Sequence, residues 1–303
     1  MYRRMIIRIN DACNSRCRFC VYDRCRGSSR AHRSAAAVAR AVARGKAQGI
    51  KEIIFTGGEP TLHPSLGALV SCARRRGMNI QLQTNGRLFA YPAYCEEMVR
   101  ADIDCFCLAL HGPSARIHDR LTRVPGSFRQ TVLAIKNLKA RRRTVVTNTV
   151  ITKPNYRHLA RIARLLVGLG VDKYQLIFPH ITGEAHRNRA QMIVPMSEAV
   201  KNVRRALEEG RRRGTDVTVK AMPFCVLKGY AAHIRRSIHP DEKYVFFGNE
   251  KSDFAKNRFC KECVYDSLCE GPWREYPKIF GWKEFSPLRH VLPPAASTSA
   301  KNP

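Results

Sequence analysis

Three cysteines near the N-terminus have the spacing of metal ligands. They are Cys13, Cys17 and Cys20, in the pattern C-x3-C-x2-C. Thiolates this close together in one loop are able to wrap a [4Fe–4S] cluster. Three ligands leave one iron without a protein ligand, and an open metal position of this kind binds substrate. A zinc site and unrelated thiols are the alternatives. Zinc needs a fourth ligand, for which His32 is the nearest histidine in the sequence.

Two short loops downstream carry further candidate groups. The first reads Thr56-Gly57-Gly58-Glu59-Pro60, and the second reads Gln83-Thr84-Asn85-Gly86. Glycines allow a backbone to approach a ligand closely, and a carboxylate in the first loop is suited to pair with an ammonium group. Each loop by itself is a weak turn signal.

A second group of cysteines lies near the C-terminus. Cys260, Cys263 and Cys269 form the pattern C-x2-C-x5-C, and Cys225 lies upstream. Four thiolates predict either a second [4Fe–4S] cluster or a structural zinc site. Zinc ligands usually come as two short pairs, whereas one ligand stands alone here, which favours the cluster. The remaining cysteines are scattered and are interpreted as small buried hydrophobic residues: Cys25, Cys72, Cys95, Cys105 and Cys107.

The elements that must position these groups alternate between strand and helix patterns. Strands are predicted at 5–9, 51–55, 79–83, 105–110, 144–151 and 173–178, with helices between them. This alternation indicates parallel βαβ units, arranged as an open twisted sheet or as an incomplete barrel. Both folds bind ligands at the C-terminal ends of the strands. The cysteine triad and the two loops follow the first three strands and therefore belong to that end.

The triad with Phe19 before its third cysteine resembles the signature of radical S-adenosylmethionine (SAM) enzymes. The Gly57–Glu59 loop and the Thr84 turn resemble further family motifs, and the likeness extends from Met5 to Arg189. It implies a partial (β/α)6 TIM-like barrel of the α/β class. It also implies a SAM-binding [4Fe–4S] cluster on Cys13, Cys17 and Cys20.

The resemblance also assigns residues to SAM. Phe19 is expected near the adenine, and Gly57, Gly58 and Glu59 near the methionyl amine, with Thr84 in the neighbouring turn. Asn148, inside the fifth strand, faces the ribose or is a buried structural asparagine. The family often has serine in strand four where this chain has Ala109.

The C-terminal cysteines resemble part of the SPASM/twitch extension of radical SAM enzymes. The full SPASM pattern continues C-x3-C, but Trp273 stands at that position. The resemblance therefore implies one auxiliary [4Fe–4S] cluster, held by Cys225, Cys260, Cys263 and Cys269. We expect a radical SAM core at 1–215, an auxiliary iron–sulfur domain at 216–292 and a disordered tail at 293–303.

Composition limits the partners. The chain has 303 residues and a formal net charge of +30. Its dispersed arginine runs suit solvated helix ends, where cations complement the helix dipole, while the total charge favours an anionic partner. No apolar run approaches the roughly 20 residues of a membrane span, and the N-terminus lacks the features of a signal peptide. A cytoplasmic protein without a membrane partner is expected.

Radical SAM chemistry on a ribosomally made peptide is the leading hypothesis, because SPASM/twitch relatives commonly modify such peptides. The first strand starts at Met5 with no peptide-recognition segment before it. Oxidation or rearrangement of a small metabolite therefore stays an alternative, and RNA stays a possible substrate. An alternative of another class is a basic iron–sulfur protein that binds nucleic acid. The Thr56–Pro60 loop weighs against it, since electrostatic binding does not need that loop. A reductant such as flavodoxin or ferredoxin is implied, and no catalytic acid, base or radical relay is assigned.

Overall fold

The computed structural model describes residues 4–22, 32–236, 242–245 and 254–294. Within these ranges nine strands form one parallel sheet. The strands are β1 (Arg4–Arg8), β2 (Glu52–Thr56), β3 (Asn79–Thr84), β4 (Cys105–Ala109), β5 (Thr144–Val150), β6 (Lys173–Ile177), β7 (Asp216–Lys220), β8 (Ile234–Arg235) and β9 (Glu242–Val245). The α-helices are α1 (Ala35–Ala47), α2 (Leu66–Arg74), α3 (Pro92–Arg100), α4 (Ala115–Thr122), α5 (Ser127–Ala140), α6 (Leu159–Gly168), α7 (Gly183–Arg187), α8 (Arg189–Met192), α9 (Met196–Arg212) and α10 (Glu275–Phe280).

The strand order confirms the predicted partial barrel. Neighbouring strands follow chain order from β1 to β8, with β9 added beside β1. Parallel strands need crossover connections, and helices supply most of them here. The sheet ends at β8 on one side and at β9 on the other. The six strands of the predicted βα units are therefore present, and the strand that the sequence also predicts at 217–221 is β7. The short strands β8 and β9, which the sequence did not predict, extend the sheet at its two ends.

One face of the sheet packs against the helices. Alternate residues along each strand are fully buried there, as Ile7 in β1, Phe106 in β4 and Leu176 in β6 show. Because side chains alternate across a strand, the intervening residues point to the opposite, concave face. That face is rich in polar groups, including Gln81, Asn148, Gln175, Thr218 and Lys220. Such a lining is suited to a polar ligand.

The arginine runs at the ends of α2, α5 and α9 lie away from the loop after β1 that carries Cys13, Cys17 and Cys20 (the cysteine loop). A helix that follows a parallel strand runs back, so its last turn lies at the N-terminal ends of the strands. Arg74, the last residue of α2, pairs with Asp104 (2.7 Å), which directly precedes β4. Arg141 pairs with Glu96 (2.8 Å), and Arg211 pairs with Glu208 (2.5 Å). These contacts agree with the interpretation of the runs as helix ends.

The scattered cysteines behave as hydrophobic residues. Cys72, Cys95 and Cys107 are buried, and Cys105 is half-buried. Burial raises the pKa of Cys107 to about 12, so its thiol stays protonated and unreactive. Cys25 lies outside the described residues, and so does most of the 293–303 tail.

None of the helices in the described part of the chain is long and apolar enough to cross a membrane.

Candidate active site

The loop that follows β1 carries the cysteine triad and is held at several points. The backbone N–H groups of Arg16 and Arg18 donate to the carbonyls of Thr122 and Leu121 at the end of α4 (2.9 and 3.0 Å). All three cysteines are partly exposed. The N–H of Ser15 donates to the Sγ of Cys13 (3.4 Å), and hydrogen bonds to ligand sulfurs are typical of iron–sulfur sites.

Gly57 and Gly58 lie directly against this loop. The N–H of Gly58 donates to the carbonyl of Asn10 (2.9 Å), and the N–H of Glu59 donates to the carbonyl of Ala12 (2.7 Å). A Cβ on Gly57 would stand 2.2 Å from the Oδ1 of Asn10, and one on Gly58 would stand 2.3 Å from the carbonyl oxygen of Ala12. No side chain fits in such gaps. The two glycines therefore allow the backbone of this loop to pack directly against the backbone of the cysteine loop.

Glu59 is buried, and both of its carboxylate oxygens accept hydrogen bonds. Its Oε1 accepts from the N–H and hydroxyl of Thr61 (3.1 and 2.6 Å) and from the hydroxyl of Thr84 (2.5 Å). Its Oε2 accepts from the N–H of Asn85 (2.7 Å). The carboxylate therefore ties the loop after β2 to the loop after β3. Its predicted pairing with an ammonium group stays a prediction.

We expect Glu59→Ala to lower the free energy of unfolding by about 4 kcal/mol or more, because four buried donors lose their acceptor at a cost of about 1–3 kcal/mol each. Glu59→Gln keeps one oxygen acceptor, so its loss should be about half as large. Urea unfolding of the metal-free variants measures both effects. Glu97→Gln, at an exposed position of α3, is the matched control.

The same network predicts a pH dependence. Burial raises the pKa of Glu59 above its ordinary value of 4.5, although four hydrogen bonds oppose that effect. Between the ordinary and the raised pKa, the folded protein binds more protons than the unfolded chain. The free energy of unfolding should therefore fall as the pH rises through this window. Glu59→Gln has no carboxyl group to titrate, so this part of the pH dependence should be absent from it. Parallel pH profiles for the wild type and Glu59→Gln would contradict this expectation.

Asn85 and Arg87 complete the support of the cysteine loop. The side-chain amide of Asn85 donates through Nδ2 to the Oδ1 of Asn14 (2.7 Å). The guanidinium of Arg87 donates to the backbone carbonyl of Asn14 (2.5 Å). Arg87 also donates to Gln130 in α5 (2.7 Å). Neither residue was assigned a role from the sequence. The turn after β3 was the available signal, but only the fold shows that it faces Asn14.

Two other residues predicted to bind SAM also lie in this region. Phe19 is 7% exposed, and its ring packs edge-on against His111 with centroids 4.5 Å apart. Asn148 lies on the concave face, in register with Ala109 and Gln175. Its Oδ1 is buried without a hydrogen-bond partner among the described residues. An unpaired buried acceptor is costly, which fits an atom that a ligand satisfies.

The C-terminal cysteines line one small cavity. Cys225, Cys260, Cys263 and Cys269 all border it. The N–H of Leu288 donates to the Sγ of Cys263, and the N–H of Gly271 donates to the Sγ of Cys269 (both 3.4 Å). Aromatic side chains border the same cavity: Phe224, Phe259, Trp282 and Phe285.

The other three thiols of this set affect the pKa of Cys225. Burial, with a smaller contribution from Cys269, Cys263 and Cys260, raises the pKa of Cys225 to about 11. The fold thus brings the four thiols together although 44 positions separate the first from the last. In the described ranges, no three His, Cys, Asp or Glu side chains form a group arranged to hold a metal ion. Both predicted sets of metal ligands therefore stay predictions.

Trp273, which occupies the position of a cysteine in the full SPASM pattern, packs against the barrel. Its indole N–H donates to the carbonyl of Phe178 after β6 (3.2 Å), and its ring stacks between His180 and Phe254 (4.0 and 4.1 Å between centroids). Tyr276 accepts from the N–H of Met196 at the start of α9 (2.6 Å). The aromatic stretch therefore attaches the cysteine-rich segment to the barrel.

The family model described as the radical SAM superfamily matches residues 7–166, just over half of the chain. The chain belongs to the radical SAM superfamily. Members of this superfamily use a [4Fe–4S] cluster and SAM. Radical SAM proteins of known activity include similar sequences.

One relative is the AdoMet-dependent heme synthase of Oleidesulfovibrio alaskensis, 31% identical over 46% of this chain and 36% of the relative. Another is the PqqA peptide cyclase of Ruegeria pomeroyi, 30% identical over 58% of this chain and 47% of the relative. The chain thus spans less than half the length of these two relatives.

Solved structures agree on the fold. The structure of Streptococcus suis SuiB bound to S-adenosylmethionine superimposes with a TM-score of 0.70, at 14% identity, over 95% of this chain and 76% of SuiB. The anSMEcpe structure with bound AdoMet gives a TM-score of 0.59, at 19% identity, over 72% of this chain and 64% of that one. At these identities the likeness shows the radical SAM fold alone.

Proposed function

We propose that this radical SAM enzyme modifies a ribosomally made peptide. The observation that carries the proposal is the cavity that brings Cys225, Cys260, Cys263 and Cys269 together, because such a thiol set resembles the auxiliary module of peptide-modifying SPASM/twitch enzymes. The similarity to PqqA peptide cyclase over 58% of the chain supports the same substrate class. When bound, the cluster on Cys13, Cys17 and Cys20 supplies the electron that cleaves SAM to methionine and a 5′-deoxyadenosyl radical, which abstracts hydrogen from the substrate.

The residues of the chain hold and orient SAM in this proposal. The stretch from Gly57 to Glu59 keeps the loop after β2 against the cysteine loop, through the backbone bonds to Asn10 and Ala12. Asn148 offers its unpaired Oδ1 to a ribose hydroxyl. Together they place SAM across the C-terminal ends of β1 to β5.

The substrate lies on the remaining side of the concave face. Gln175 in β6 and Thr218 in β7 continue the row that contains Asn148. Thr218 is fully buried, so the half-buried Gln175 is the member of this pair that a substrate reaches. Its side-chain amide both donates and accepts, which matches the amide groups of a peptide.

An auxiliary [4Fe–4S] cluster on the four C-terminal cysteines is part of the proposal. Four protein ligands leave no open iron, which favours a role in electron transfer or structure. We keep the division into a core at 1–215 and an auxiliary domain at 216–292, although β7 and β8 extend the main sheet. We also keep a flavodoxin or ferredoxin as the electron donor, and a cytoplasmic location.

The test of this function is peptide-dependent SAM cleavage. Anaerobically reconstituted enzyme is incubated with SAM, a reductant and a library of synthetic peptides, which includes any short peptide encoded beside its gene. We expect one peptide to raise 5′-deoxyadenosine formation and to change its own mass. The Cys13/Cys17/Cys20→Ala variant is the control, and it should do neither. If no peptide changes, the proposed substrate class is wrong.

A small metabolite is the second candidate. The similarity to AdoMet-dependent heme synthase favours it, and so does the polar lining of the concave face. The same assay separates the candidates when a set of small alcohols and porphyrins replaces the peptides. Stimulation by one of these compounds, with no effect of any peptide, would select the metabolite.

Asn148→Ala is expected to weaken SAM binding about five- to tenfold, the equivalent of one ordinary hydrogen bond. Thr147→Val is the matched control, because the neighbouring Thr147 is also buried with an unpaired hydroxyl but points to the opposite face. Equilibrium dialysis of the reconstituted protein with SAM measures both affinities. Unchanged affinity in Asn148→Ala would make this residue a structural asparagine.

A further inference from the structure

His111 lies just past the end of β4, beside the predicted position of SAM. The N–H of Leu110 donates to the carbonyl of Asn148 (3.1 Å), so the chain continues in register with β5 beyond Ala109. Ala109 has no polar group to offer a ligand. His111 is the next residue on the same side of the chain, and it is 4% exposed.

The backbone around His111 fixes the protonation of its ring. The N–H of Val150 donates to the Nδ1 of His111 (3.2 Å), so Nδ1 carries a lone pair. Burial, with the neighbouring His118, lowers the pKa of His111 well below its usual range. The ring is therefore neutral, with its proton on Nε2. Nε2–H is left as a donor with no acceptor among the described residues.

The orientation of His111 is also fixed. Its N–H donates to the Nδ1 of His118 (3.1 Å), and its carbonyl accepts from the amide of Asn155 (2.8 Å). The ring stacks on His118, with centroids 5.8 Å apart and planes 13° apart. It also meets Phe19, which lies between Cys17 and Cys20. A donor held this firmly beside the cysteine loop is preorganised for a ligand.

We propose that the Nε2–H of His111 donates a hydrogen bond to a ring nitrogen of the adenine of SAM. A neutral donor matches a neutral acceptor, and Phe19, which the ring contacts, is the residue predicted to lie near the adenine. His111 thus supplies, just past the end of β4, a polar group that the side chain of Ala109 lacks. The proposal depends on SAM binding by the family and not on the peptide substrate.

Two substitutions separate the two ring nitrogens. In His111→Asn the side-chain amide reaches about as far as Nδ1, so it still accepts from Val150 but offers no donor at Nε2. In His111→Gln the amide nitrogen reaches about as far as Nε2 and keeps that donor. The proposal predicts that His111→Asn weakens SAM binding roughly tenfold, the effect of one hydrogen bond. His111→Gln should stay within about threefold of the wild type.

The probes are SAM and free methionine. Equilibrium dialysis measures their affinity for the reconstituted protein, and the electron paramagnetic resonance of the reduced cluster reports their binding to the cluster. Methionine carries the same amine and carboxylate as SAM but has no adenine. Loss of SAM affinity with unchanged methionine affinity in His111→Asn supports the proposal. An equal loss for both ligands, or unchanged SAM affinity, overturns it.

His111→Gln keeps the test valid if His111→Asn does not fold or does not take up iron. In that case the ratio of SAM to methionine affinity in His111→Gln should equal that of the wild type. A lower ratio would overturn the proposal. Peptide-dependent activity does not enter either measurement, so failure of the peptide hypothesis leaves the result readable.

Discussion

Replacing Cys13, Cys17 and Cys20 together with alanine should abolish SAM cleavage and leave about four irons per reconstituted chain, the content of one cubane cluster. The three thiols are the predicted ligands of the SAM-binding cluster. The C-terminal thiols line a separate cavity, and two of them already accept backbone N–H bonds. Removing the first set should therefore leave the second intact.

The measurement is the iron and sulfide content of the anaerobically reconstituted variant, with 5′-deoxyadenosine as the activity readout. Cys72→Ala is a suitable control, because this buried cysteine lies in α2 and belongs to neither group. Retention of zinc, or of no metal at all, would contradict the auxiliary cluster. It would leave an enzyme with a single cluster, whose C-terminal segment shapes the substrate pocket.

Gly58→Ala is expected to displace the cysteine loop and to reduce cluster incorporation severely. The added Cβ would meet the carbonyl oxygens of Ala12 and Asp11 at 2.3 and 2.5 Å. Backbone atoms do not move aside as a flexible side chain does, and overpacking of this kind costs about 1–3 kcal/mol or more. We expect a lower unfolding midpoint in the metal-free protein and less than half of the wild-type iron in the first cluster.

Gly67→Ala provides the matched control for this substitution. Gly67 lies in α2, and a Cβ there would meet nothing within 4 Å. Alanine favours a helix over glycine by up to about 1 kcal/mol, so this variant should be as stable as the wild type or more stable. If Gly58→Ala retained full iron and stability, the two loops would not be in the close contact described.

The amino-acid sequence by itself determined the elements and the family. Apolar runs of five to eight residues between amphipathic helices predict parallel units, because each strand must be covered by a crossover helix. The triad, Phe19 and the Gly57–Glu59 loop are contiguous motifs, so their local spacing is sufficient to identify the chemistry. Ser34, which accepts from the N–H of Ala37 at the start of α1, is likewise a local signal.

Only the tertiary structure decided which distant groups meet. Glu59 contacts Thr84 and Asn85, and Arg87 contacts Asn14, across separations of 25 to 73 residues. Such pairs depend on strand order and register, which hydrophobic periodicity does not specify. The same holds for His111, whose tautomer is set by the N–H of Val150, 39 residues away. The sequence names the chemical groups because they are local, and the fold assigns their partners because parallel sheets bring the ends of distant strands together.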